Sequence, residues 1–212
     1  MLILANVVVF VVFWLSANGI LLNDAFAQSI GDNFVMYPSE ILSGQRLFTL
    51  FTSMFMHMEL FHIAGNMLYL SIFGGKVEDT FGHASYLVVY IVCGLVAAFA
   101  HISSAVFIDV GGLDVGVLGA SGAIAGVLGA YLVLYPKSRI ITMTFFGFPL
   151  IIPIPAVLIL GFWFIMQWLY VLTNISTNVA YWSHIGGFIT GLIFALTVGL
   201  KRKRARERSE GF

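Results

Sequence analysis

The sequence predicts an all-α membrane protein, a six-transmembrane-helix bundle with an interfacial first loop. Three observations carry that expectation. The 212 residues are 60% hydrophobic and only 9% charged, where soluble domains run about 25% charged, and mean hydropathy is +0.99. Six separate apolar stretches approach the length of about 20 residues that a bilayer crossing needs. Nine of the 10 basic residues fall on one face once those stretches are read as spans.

The predicted spans cover residues 2–20, 60–72, 84–104, 117–134, 150–172 and 184–200. The first lacks any Lys or Arg before it, and the first basic residue is Arg46. It therefore reads as a retained helix rather than a signal peptide. Residues 22–58 form the one long segment between spans. Its later part, with Ser43, Gln45, Arg46 and Thr49 set among apolar residues, suggests short helices in the interface. The second span is interrupted by His62 and Asn66 but resumes through Phe73. Lys76 follows it, Lys137 and Arg139 lie between spans four and five, and six more basic residues follow span six. Basic residues mark cytoplasmic loops, so both termini are expected in the cytoplasm. Acidic Asp24, Asp32, Glu40, Glu59, Asp109 and Asp114 then fall in the opposite loops. Residues 1–200 read as one unit and 201–212 as a basic cytoplasmic tail, a topology anchor that also touches anionic lipid.

Composition excludes several classes of function. Ten basic residues balance 10 acidic ones, which leaves no global positive footprint for nucleic acid. A single cysteine, Cys93, allows neither an intrachain disulfide nor a cysteine-based metal cluster. His57, Glu59 and His62 form H-x-E-x-x-H, which is out of register with the zinc-protease H-E-x-x-H. An aspartyl dyad needs two carboxylates within the membrane and no span contains even one, so that chemistry is excluded, and neither a metal nor a cofactor is expected. Asn174-Ile175-Ser176 is a formal glycosylation sequon that chance explains.

Polar groups inside spans are costly and point to function. The candidates are His62, Asn66, His101, Ser121, Gln167 and His184. Under the topology above, spans two, four and six all begin at the outer face, so His62, Asn66, Ser121 and His184 converge at similar depth. Each also has a structural reading. His62 and Asn66, at i and i+4, share one helix face and could simply stitch helices together. A lone membrane serine is usually a structural hydrogen-bonder. Gly122 and Gly126 on span four, and Gly187 and Gly191 on span six, form small-residue stripes of the kind that pack helices closely. If the stripes meet, His184 comes to rest beside Ser121. A histidine can take the proton of a serine hydroxyl and make it a nucleophile. Asn66, His62 and the Ser121 backbone N–H are suitable donors for an oxyanion.

The motif Gly119-Ala120-Ser121-Gly122, the downstream His184-x-x-Gly187-x-x-x-Gly191 and His62-x-x-x-Asn66 together resemble the rhomboid intramembrane serine proteases. The resemblance runs from about Gly44 to the end of span six. It implies a six-helix bundle of rhomboid type, in its minimal prokaryotic form, without an N-terminal cytoplasmic domain or a seventh span. It further implies Ser121 as nucleophile and His184 as general base and acid. His62, Asn66 and the Ser121 backbone N–H would then form the oxyanion hole, with Gly119 allowing the substrate carbonyl to approach. The implied activity is cleavage of transmembrane protein substrates near the outer face, in a prokaryotic plasma membrane. The implied partners are those substrates and membrane lipids, with oligomeric state unread. Residues 22–58 would match the family's first loop. Span five, with Trp163, Gln167 and Trp168, would match the element proposed to admit substrate, together with residues 173–183. Three positions depart from the pattern. Gln45 replaces the tryptophan of a Trp-Arg pair, Ala125 replaces an aromatic residue that packs on the histidine, leaving Trp182 to orient that ring, and Ser183 replaces alanine. The alternatives from other classes are a non-catalytic rhomboid-like scaffold that binds transmembrane helices, and a small-solute channel.

Overall fold

The computed structural model describes residues 1–21, 29, 33–108, 110–145, 149–173 and 178–209. Asp24, Asp32, Asp109 and the sequon at 174–176 lie outside the described residues. Among the described residues, six helices overlap the six predicted stretches: α1 (Leu2–Ala17), α2 (Leu60–Phe81), α3 (His83–Phe107), α4 (Ser121–Leu134), α5 (Ala156–Thr173) and α6 (Tyr181–Phe194). The chain stays helical through a π-helical stretch, Ala195–Gly199, into α7 (Leu200–Ser209). The basic tail thus extends the last helix.

Among the described residues, three helices are long and apolar enough to cross a membrane: His83–Phe107, Ala156–Thr173 and the continuous Tyr181–Ser209. Leu2–Ala17 and Ser121–Leu134 are apolar but shorter. The 22-residue α2 carries His62 and Asn66 near one end and Lys76, Glu78 and Asp79 near the other. Length and composition therefore support three crossings, while the expected count of six rests on the remaining helices having the same orientation.

The expectation of an all-α fold needs correcting. Arg139–Phe145 and Pro149–Pro155 form an antiparallel pair, β1 and β2, in register from Arg139 opposite Pro155 to Phe145 opposite Pro149. The predicted fifth span began inside β2. Pro149, Pro153 and Pro155 deny that apolar run the N–H donors of a helix, and its isoleucines favour extended backbone. Helix α5 starts only at Ala156. The predicted fourth span began too early as well. Val117 is extended and exchanges two hydrogen bonds with Met36 (2.8 and 3.1 Å), which ties the first loop to the approach to α4.

That loop contains short helices at Pro38–Leu42 and Thr49–Thr52 and a 3-10 turn at Ser53–Phe55. It is anchored by an ion pair between Arg46 and Glu40 (2.9 Å). The core centres on α4, of whose 14 residues 11 are buried. Around it pack Val77, Tyr90, Leu160 and Phe188, each no more than 1% exposed. At the C-terminal end of α4, Lys203 donates to the Leu134 carbonyl (2.5 Å) and lies 4.5 Å over the Tyr135 ring. Arg202 and Arg206 donate to the carbonyls of Phe81 and Asp79 at the end of α2. Cations there meet the negative ends of two helices.

Candidate active site

The opposite end of α4 is shaped by a glycine. Gly119 has φ +117, a conformation that an L side chain rarely adopts, and it donates its N–H to the Ser53 carbonyl (2.9 Å). The turn ends at Ala120, and Ser121 is the first residue of the helix. Amides in a first helical turn have no intrahelical acceptor, and the end they occupy carries the positive pole of the helix. Ser121 is half-buried, whereas the residues from Gly122 to Tyr131 are buried.

The two glycine stripes meet. A Cβ built on Gly187 would overlap the Gly122 carbonyl, one on Gly191 would overlap the Gly126 carbonyl, and one on Gly129 would overlap the Phe188 carbonyl. Helices α4 and α6 are therefore in backbone contact along their length, as small-residue faces permit. The approach brings His184, in the first turns of α6, to Ser121: His184 Nε2 lies 2.9 Å from Ser121 Oγ. Both residues remain half-exposed.

His62 and Asn66 project from α2 to the same end. The space a Cβ on Gly119 would take lies 2.8 Å from His62 Cε1 and Nε2 and 3.9 Å from Asn66 Nδ2. His62 and Asn66 therefore flank the Gly119 turn that leads into Ser121, and Ser121 in turn contacts His184. Gly122, Gly126, Gly187 and Gly191 line the seam that joins α4 to α6.

Two further residues belong to this cluster. His57, fully buried just before α2, places Nε2 3.0 Å from Asn66 Nδ2 and 3.5 Å from the Ala120 N–H. Both neighbours are donors, so Nε2 accepts and the ring must be neutral. Burial, and secondarily the neighbouring His62, push the His57 imidazole down to about 4. The sequence pattern offered His57 only as an arm of a failed zinc motif. Its position directly before the span that carries Asn66 was the available signal. The second residue is Gln167 on α5, whose Oε1 lies 2.9 Å from His184 Nδ1.

The aromatic neighbour of His184 also differs from expectation. Trp163, not Trp182, lies against the imidazole, with ring centroids 5.6 Å apart. Trp182 packs instead on Trp168 at 5.7 Å. Helix α5 is fixed there by Phe164, which stacks on Phe188 at 4.3 Å. Ala125, where an aromatic residue was missing, lies in the seam 3.5 Å from the Cβ position of Gly187. Ser183 Oγ packs 2.8 Å from the Cβ position of Gly122. Among the described residues, no group of three His, Cys, Asp or Glu side chains is placed to hold a metal ion.

Residues 44–201 match the family model described as the Rhomboid domain. The chain is 30% identical to RHOMBOID-like protein 12, mitochondrial, of Arabidopsis thaliana, over 88% of this chain and 54% of that protein. It is 30% identical to Rhomboid protease GluP of Bacillus subtilis, over 74% of this chain and 27% of that protein. Rhomboid protein 1, mitochondrial, of Saccharomyces cerevisiae is 26% identical, with 74% and 43% covered. The chain spans about half or less of the length of these relatives. Two of the three are mitochondrial, so the similarity does not support the expected prokaryotic plasma membrane. With its apolar helices and a family match that covers most of its length, the chain belongs to the membrane-embedded rhomboid family.

Proposed function

We propose that this chain is an intramembrane serine endopeptidase that cleaves transmembrane proteins through Ser121 and His184. The observation that carries the reading is the 2.9 Å contact between Ser121 Oγ and His184 Nε2, made at the end of the bundle where free helix N–H groups also point. In the proposed reaction His184 removes the Ser121 proton as Oγ attacks the scissile carbonyl carbon. The carbonyl oxygen becomes an oxyanion held by the Ser121 N–H, the His62 ring and the second amide hydrogen of Asn66. Gly119 leaves the space that a side chain would take from it. His184 then protonates the departing amine, and a water activated by the same imidazole hydrolyses the acyl-enzyme.

Helix lengths support the proposed depth. At 1.5 Å per residue α4 spans roughly 21 Å, while a hydrocarbon core is about 30 Å thick. With the Lys203 end of α4 at the inner surface, Ser121 lies below the outer one. Lys76, Lys203 and Arg206 border one shared cleft at that inner end, which supports the Lys76 end of α2 and the basic C-terminal tail on one face and a site that opens to the other.

The test is labelling of the purified protein by a serine-directed fluorophosphonate and cleavage of a transmembrane reporter. Ser121→Ala is expected to abolish both, and His184→Ala to abolish both while leaving the bundle folded. Cleavage that persists in purified Ser121→Ala would overturn the mechanism. Wild-type protein that binds transmembrane helices without cleaving or labelling would instead identify a scaffold.

A further inference from the structure

We infer that Gln167 is a positioning residue that fixes the tautomer of His184 and leaves Nε2 bare toward Ser121. The inference rests on the Ser121–His184 reading above and adds the group that prepares the base. The assignment follows from donors and acceptors alone. Gln167 Nε2 lies 3.0 Å from the backbone carbonyl of Trp163, one turn earlier on α5. A carbonyl can only accept, so the amide nitrogen must face it. The amide oxygen must then face His184 Nδ1, at 2.9 Å. An amide oxygen can only accept, so Nδ1 carries the proton of the neutral ring and Nε2 has a free lone pair. Ser121 Oγ, 2.9 Å from that lone pair, becomes the donor. The orientation of each group thus dictates the next, from the Trp163 carbonyl to the serine hydroxyl.

The surroundings favour a fixed arrangement. Gln167 is only 5% exposed, and a buried amide left without partners is costly. Trp163 contributes twice, accepting from Gln167 through its carbonyl and covering the imidazole with its indole ring. A single turn of α5 therefore holds His184 from its edge and from its face. Without Gln167 nothing described here holds the proton on Nδ1, and the tautomer with Nε2–H cannot accept from Ser121.

The first measurement uses the intact wild-type protein labelled with 15N-histidine at neutral pH. The His184 ring resonances are assigned by their loss in His184→Ala. An Nδ1–H signal is expected, and an Nε2–H signal overturns the inference. This readout needs no catalysis, so it stays separate from the Ser121 tests, which alone decide the parent reading. The second measurement is the kinetics of fluorophosphonate inactivation. Gln167→Met keeps the bulk without the acceptor and is expected to lower the maximal inactivation rate by about 10²-fold. Loss of the group that orients a catalytic histidine costs up to about 10⁴-fold where that group is a carboxylate. The half-saturating concentration and the unfolding temperature should stay near wild type. Gln167→Glu restores an oxygen acceptor at the same reach and should recover at least about tenfold over Gln167→Met. A wild-type rate in Gln167→Met, or a Gln167→Glu rate no better than Gln167→Met, overturns the inference.

Discussion

Replacing Gly191 by alanine places a methyl group on the backbone of the neighbouring helix. The new carbon overlaps the Gly126 carbonyl and lies 2.7 Å from the Gly126 Cα. Non-bonded carbons rest about 3.5–4.0 Å apart and the carbonyl oxygen is met closer still, so α4 and α6 must separate by more than about 1 Å. No rotamer change can relieve the contact, because every atom met is backbone. Overpacking of this kind costs about 1–3 kcal/mol, and the helix propensity gained on replacing glycine offsets up to about 1 kcal/mol. A net destabilisation of up to about 2 kcal/mol is expected. The effect on chemistry should be larger. His184 sits two turns along the same helix, and its 2.9 Å contact with Ser121 spans the widened seam. A misplacement of about 1 Å can cost about 10²-fold in rate. The assay is thermal unfolding in detergent together with the rate of fluorophosphonate labelling. Gly75→Ala and Gly161→Ala serve as controls, since a Cβ at either position meets nothing within 4 Å. Both should be as stable as wild type or up to about 1 kcal/mol more so, with unchanged labelling. Gly191→Ala that unfolds with the controls and labels at the wild-type rate would show that the glycine seam does not set the Ser121–His184 distance.

Gly119→Ala combines a strained backbone, φ +117, with a methyl carbon 2.8 Å from the His62 ring. Labelling of Ser121 should fall by more than about tenfold as His62 is displaced, and wild-type labelling would remove Gly119 and His62 from the site. Burial of His57 predicts acid sensitivity. Its imidazole titrates at about 4 in the folded protein and at 6.5 when unperturbed, so the unfolded chain takes up the proton first. Stability is then full above about 6.5 and declines as pH falls toward 4. His57→Gln should flatten that decline in unfolding temperature, and an identical slope in the two proteins would refute the assignment.

How legible this was in the sequence differs from element to element. The six apolar stretches could be read directly because hydropathy reports burial from water wherever the apolar environment comes from. The hairpin was not legible in the same way, since Leu150, Ile151 and Ile152 are as apolar as a span and periodicity does not distinguish the two in a short run. Pro149, Pro153 and Pro155 were the evidence against a helix. Within the site, Ser121 and His184 were marked by glycines at helical spacing, a pattern that fixes which faces meet. Gln167 had no such marker. Most of α5 is apolar on every side, so its sequence does not say which way residue 167 turns. His57 lies in irregular chain between the 3-10 turn and α2, where no period predicts direction.

The proton chain from Ser121 to the Trp163 carbonyl contains no ionised group. A buried carboxylate beside His184 would hold the same tautomer and would stabilise an imidazolium more strongly. Taking such an ion out of water costs several kcal/mol, recovered only with well-placed partners. Under the proposed mechanism the Gln167 amide holds the tautomer without that penalty, and the positive end of α4 supplies field for the oxyanion from dipoles that are already ordered. Charge is used at the other end of the same helix, where Lys203 meets the Leu134 carbonyl. In the proposed mechanism both ends of α4 are matched to its dipole, a cation at the carbonyl end and a developing anion at the amide end. It follows that reversing charge at the Lys203 end should affect stability, while reactivity should follow Gln167.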